Sequence, residues 1–242
     1  MFINIRTAAA ALLLFCCALP ACAGEREESA ARDIGTLIKE ELSPEKISVT
    51  TSPEGKRAFI ECTGARLSGI RVEKLVLDAE FSELPQKTAG SSYPEALSKA
   101  VTASRGEIRL LESDVNDYFA KGNSPGGFRQ IAFDFTPAAC NATGKYEMQL
   151  MFFSMEVDLR AKGRLEAKKD GLYLVDTELW AQGLKQPDKI VKEVTGRVNP
   201  ILNFSKLPFP VELKKAEMTD KEAILTGYPH EKPKASGFWQ YP

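Results

Sequence analysis

Apolar residues fall at helical spacing in a few stretches of this chain and at a spacing of two through most of the rest. From Glu28 to Leu42 the pattern predicts a helix with Ile34, Leu37, Ile38 and Leu42 on one face, stopped by Ser43-Pro44. The period then changes. Ile47 to Thr51 and Arg57 to Cys62 read as strands around a Pro53-Glu54-Gly55 turn. In Arg71 to Phe81, Leu75, Leu77, Ala79 and Phe81 share one face while Lys74, Asp78 and Glu80 take the other, the signature of a half-exposed antiparallel strand. A loop from Leu84 to Ser92 leads to a short helix over Tyr93 to Val101 and a strand over Glu107 to Leu111. Ser113 is placed to cap a helix reaching Phe119 and ending near Gly122.

The second half continues in strands. Phe128 to Thr136 alternates, with Phe133 and Phe135 on one face. Lys145 to Lys162 is the longest extended run, and its Met148 to Phe153 stretch is apolar on both faces. Arg164 to Lys168 and Leu172 to Ala181 flank a Lys169-Asp170-Gly171 turn. Ile190 to Leu202 is amphipathic at helical spacing, with Pro200 set to kink or end it. Strands over Pro208 to Ala216 and Ala223 to Thr226 close the body. The expected class is α+β: one long, twisted antiparallel sheet curved around helices, with an apolar trough. The domain occupies residues 28–227, followed by a proline-rich tail at 228–242. Phe238, Trp239 and Tyr241 in that tail are expected to dock back on the body, with a membrane interface as the alternative.

The N-terminus carries a different signal. Arg6 is the only charge before Glu25, Ala8 to Leu19 is apolar, and Ala21 and Ala23 supply small residues. Residues 1–23 therefore read as a secretory signal peptide. Leu19-Pro20-Ala21-Cys22 also resembles a lipobox, which makes Cys22 a candidate for lipidation and for a membrane tether. No later segment offers about 18 apolar residues in a row. The expected location is the periplasm or cell envelope of a bacterium.

Composition narrows the chemistry. The chain is 43% hydrophobic and 27% charged with a net charge of −1, a balance that gives no support to nucleic-acid binding. Cys62 and Cys140 are the cysteines left beyond the leader, and they read equally as a disulfide or as two buried thiols. His230 is the single histidine and sits in the tail, which removes the usual Ser-His-Asp, Cys-His and His-based zinc sites. No metal or cofactor is expected. Acids at Glu112, Asp114 and Asp117 fit a helix N-terminus, and Asp176 with Glu178 fit a solvated strand face. The apolar inventory is richer, and a plain core is the ordinary reading of each member. As a set, Phe133, Phe135, Leu150, Phe152, Leu174, Trp180, Leu207 and Phe209 are the candidates for lining a lipid groove.

Three blocks carry a resemblance. They are Ile70 to Ala79; Arg109 to Asn116, with Glu112 and Asn116 in a strand-to-helix motif; and the C-terminal run Asn199-Pro200-Ile201-Leu202, Leu207-Pro208-Phe209-Pro210-Val211-Glu212-Leu213 and Ala223 to Gly227. Together they resemble the bacterial LmeA-like phospholipid-binding family. The resemblance implies a tubular lipid-binding (TULIP-like) fold and non-catalytic binding or transfer of phospholipid or another acyl lipid in the envelope. It carries over no catalytic residue. Two other functions stay open: an envelope assembly factor holding an unknown protein partner on the same surface, and a carboxylate-based hydrolase.

Overall fold

The structure is a computed structural model and describes residues 21–84, 87, 92–150 and 153–242. The proposed leader, Met1 to Ala23, falls almost wholly outside these residues.

The first half supplies four strands of a seven-stranded antiparallel sheet. A helix, α1 (Ala21–Leu42), starts earlier than its apolar period and leads into β1 (Lys46–Thr51), β2 (Arg57–Leu67) and β3 (Ile70–Phe81). Next come α2 (Tyr93–Ala100), β4 (Val101–Leu111) and α3 (Glu112–Ala120). Leu111 holds the N-cap position of α3 without a side-chain cap, so the helix begins one residue before Ser113, the expected cap. The alternation in β3 sets the packing. Leu75, Leu77, Ala79 and Phe81 are buried toward α1, in register with Cys62, Ile60 and Ala58 on β2. Ile34, Ile38 and Leu42 of α1 are fully buried against that face. At about 25 cal/mol per Å² of apolar surface, such helix-on-sheet burial is the main stabilising term.

The second half forms its own sheet, which corrects the expectation of a single long one. It contains β5 (Phe128–Phe135), β6 (Cys140–Leu150), β7 (Phe153–Lys168) and β8 (Gly171–Ala181). β9 (Leu184–Lys185), α4 (Asp188–Val198) and β10 (Leu202–Asn203) follow, with β9 and β10 paired to β8. The Lys145 to Lys162 run is a hairpin instead of one strand: β6 and β7 pair up to Leu150 and Phe153, so the doubly apolar stretch flanks the turn. Helix α4 ends before the proline, at the Asn199-Pro200 bond, which is cis.

The chain then returns to the first sheet. Phe209 packs edge-on against Phe81, with ring centroids 6.1 Å apart. β11 (Lys215–Met218) and β12 (Glu222–Thr226) extend the sheet beyond β4. Pro208 to Ala216 is therefore mostly a connector, joined to β4 by the Arg105–Glu212 bridge and the Glu212 amide donating to the Ser104 carbonyl. Buried residues of both sheets form one continuous core.

The C-terminal segment is ordered into the sheet. Residues 228–236 cross the outer face of the first sheet as a strap, and β13 (Gly237–Tyr241) pairs with β1 at the far edge. The strap is held at buried Asp78, whose carboxylate accepts from Arg57 at 2.7 and 3.1 Å and from the His230 amide at 2.8 Å. Lys232 adds an ion pair to Glu61 at 2.8 Å. Trp239 packs on α1 at Gly35, where a Cβ would overlap the indole. The ammonium of Lys39 lies 3.5 Å from the centre of the Tyr241 ring. Among the aromatic residues of this segment, Tyr228, Phe238 and Tyr241 remain exposed.

Candidate functional site

A narrow apolar slot lies between α4 and the inner face of the second sheet. Its walls are Phe128, Ile131 and Phe133 of β5, Ala142, Thr143 and Gly144 of β6, Leu159 and Ala161 of β7, and Leu174 and Leu179 of β8. Val194, Thr195, Val198 and Asn199 of α4 and its cap form the roof. The slot is tight, with a cavity volume of about 60 Å³, below the roughly 300–1,000 Å³ common for small-ligand sites.

The slot exists because small residues pave the centre of the sheet. Side chains alternate across a strand, so Ala142 and Gly144 share the inner face of β6, as Leu159 and Ala161 do on β7. Ala142 pairs with Ala161, and Gly144 with Leu159. Over this shallow floor α4 places valines and a threonine, and none of its residues is buried. The amphipathic helix thus covers apolar ground without filling it.

The polar groups in the roof are already satisfied. The Thr195 hydroxyl donates to the Val191 carbonyl at 2.8 Å. The Asn199 side chain accepts from the Leu174 amide at 2.8 Å and donates to the Leu174 carbonyl at 2.9 Å. None of the lining side chains is an acid, a base or a thiol. Such a wall suits hydrocarbon, because a polar guest would lose its water without gaining partners.

Asn116 does the same job at the opposite edge. Its side chain accepts from the Phe133 amide at 2.7 Å and donates to the Phe133 carbonyl at 2.9 Å. Glu112 accepts from the Phe135 amide at 2.6 Å. The strand-to-helix motif therefore seals the free edge of β5 and ties the two sheets together through α3.

Of the residues singled out from sequence, Phe133 and Leu174 line the slot. Phe135 lies deeper, fully buried in the core. Trp180 is opposite Arg160 and Lys185 on the outer face of β8, away from the slot. Leu207 is half-buried at the connector and Phe209 fills the corner against Phe81; neither lines the slot. The side chain of Leu150, all of Phe152 and the side chain of Cys22 lie outside the described residues. Asp176 and Glu178 are exposed and paired with Arg164 and Lys185, so neither acid reaches the cavity. Cys62 and Cys140 are free buried thiols on strands of different sheets, the second of the two readings of these cysteines. Burial pushes each thiol up to about 12.

A second hollow, between β4 and residues 210–213 with Lys169 on its rim, is larger at about 560 Å³, but its walls mix polar and apolar groups.

A family model of LmeA-like phospholipid-binding proteins matches residues 56–227. The chain belongs to this family. No curated protein and no solved structure matches it. The LmeA-like match spans both sheets, α4 and the slot, including Asn116 and Asn199. It leaves out α1, β1 and the strap with β13, which pack on one another.

Proposed function

We propose that the slot beneath α4 takes an acyl chain of a phospholipid, and that the protein binds this lipid without chemically changing it. The observation that carries the reading is a wall of hydrocarbon whose few polar groups are spent on the protein's own backbone. The family supports phospholipid as the ligand class. Energetics suit a carrier. Each buried methylene gains about 0.8 kcal/mol in an apolar slot, close to what it gives up on leaving a bilayer. Exchange between the two then runs near balance, and transfer needs no chemical step. Export to the bacterial envelope, with Cys22 as a lipid anchor, belongs to the same proposal and rests on the N-terminal sequence.

Native mass spectrometry of the protein after incubation with vesicles of phosphatidylethanolamine and phosphatidylglycerol tests the binding. A one-to-one lipid adduct is the expected outcome. A protein that stays free of lipid in every preparation overturns the reading. For the anchor, Cys22→Ala should convert a detergent-requiring protein into one that washes off membranes.

A further inference from the structure

Half of the six large apolar side chains exposed among the described residues lie at one end of the second sheet. They are Met155, Leu184 and Ile190, with fractional exposures of 44%, 71% and 38%. Three connections bring them together. The β6–β7 hairpin turns at this end. The β8–β9 turn is joined to β7 five residues on from Phe153, the Gln182 amide donating to the Asp158 carbonyl at 3.0 Å. The Gln186 amide donates to the Leu179 carbonyl at 2.8 Å and so brings the start of α4 to the same place.

This end is continuous with the slot. Leu159 is part of the slot wall, and strand alternation puts Val157 and Met155 on the same face of β7, stepping outward. Beside Val157 on that face lies Tyr146 of β6, whose hydroxyl accepts from the Arg197 guanidinium of α4 at 2.8 Å. Lys189 and Lys192 flank Ile190, and neither makes an ion pair among the described residues.

We propose that this end of the molecule docks on a phospholipid bilayer, with Leu184, Ile190 and Met155 entering the acyl boundary and Lys189 and Lys192 meeting the phosphate layer. The proposal rests on the lipid-binding reading of the slot and adds its point of entry. The depth profile favours a membrane over a protein partner. Separate apolar side chains ringed by lysines match an interface that is anionic outside and hydrocarbon within. Protein interfaces are instead depleted in lysine.

The test separates docking from lipid binding. The chain recovered from an exporting host, carrying Cys22→Ala so that no acyl anchor contributes, is compared with the same chain bearing Leu184→Ser and Ile190→Ser. Flotation with vesicles of phosphatidylglycerol and phosphatidylcholine reads docking, and native mass spectrometry with dispersed short-chain phosphatidylglycerol reads slot occupancy. The expected result is a loss of vesicle partitioning of at least tenfold with slot occupancy unchanged. A smaller loss, about threefold and salt-dependent, is expected for Lys189→Glu with Lys192→Glu. Vesicle binding equal in both proteins overturns the docking surface, as does a change in self-association without a change in vesicle binding. Absence of short-chain lipid in the unsubstituted protein overturns the lipid-binding reading instead. Leu184→Ser alone is the safeguard against misfolding, since its side chain is mostly in solvent.

Discussion

Two helices lie on two sheets in this molecule, and they are packed to opposite ends. Helix α1 buries Ile34, Ile38 and Leu42 completely on a floor of Leu75, Leu77, Ile60 and Val49. Helix α4 buries nothing completely and sits above Ala142, Gly144 and Ala161. Both helices are amphipathic, so helical patterning alone does not separate a core from a cavity. The size of the side chains facing each helix does. Branched residues interdigitate with α1 and reach the density of a protein interior, whereas a floor of alanine and glycine leaves the space open.

The largest effect should come from closing that gap. Ala161→Phe places a ring in the slot and is expected to lower lipid occupancy at least tenfold, read as the fraction of lipid-bound protein in native mass spectra. Far-ultraviolet circular dichroism should be unchanged, since α4 above the slot has no buried residue and can shift outward to take the ring. Unaltered occupancy would mean the lipid sits elsewhere. Next in size is the contrast between helices. Ile38→Ala should cost about 2–5 kcal/mol in chemical denaturation, and Val194→Ala less than about 1 kcal/mol, because only the first leaves a void in a filled core. Equal costs would erase the distinction between the two layers.

The fastening of each layer gives two smaller tests. Asn199→Ala removes both bonds to Leu174 and should cost about 1–3 kcal/mol. It should speed amide exchange in α4 without affecting α1. On the first sheet, burial pushes the Asp78 carboxyl upward, but bonds from Arg57 and His230 outweigh it and hold it below the ordinary carboxylate value. A depressed native value contributes stability above the unfolded value near 3.9, lost as pH falls through the native one. Asp78→Asn should therefore flatten the loss of stability as pH falls below about 4, and a slope identical to that of the unsubstituted protein would remove Asp78 from the account. The smallest effect concerns the thiols. Raised to about 12, Cys62 and Cys140 should resist alkylation at pH 8 until denaturant is added, when peptide mapping should find both modified without prior reduction.

Much of the fold was legible in the alternation of residues. The β3 face, the amphipathic character of α4 and the turns at Gly55 and Gly171 follow from local chemistry, and the structure keeps them. The split into two sheets did not, because it falls between β4 and β5, and the alternation within a strand does not say which strand it pairs with; the β6–β7 hairpin was hidden because Met148 to Phe153 reads as continuous strand. The docking of Phe238, Trp239 and Tyr241 was expected but its form was not, because Gly237 to Tyr241 has no local partner and its pairing with β1 is set far away in sequence. At the site, attention to bulky residues found Phe133 and Leu174 and missed Ala142, Gly144 and Ala161. A cavity is marked by what is small, and small residues carry little signal in a one-dimensional pattern. Asn116 and Asn199 were visible within motifs, yet their shared role, a two-way grip on a strand backbone, appears only in three dimensions.

The strap has a consequence for the order in which the molecule is made. Strand β1 cannot gain its outer neighbour until residues 237–241 have been synthesised, nearly two hundred positions later. Until then its edge is open and Gly35 lacks the indole that covers it. Pairing over so long a separation is slow, and an unpaired edge is a place for wrong partners. A ribosome that stops short of Gly237 would release a chain with the slot beneath α4 complete and one flank of the first sheet unguarded. The final strand thus acts as a seal applied last, and its presence marks a chain that has been read to that point.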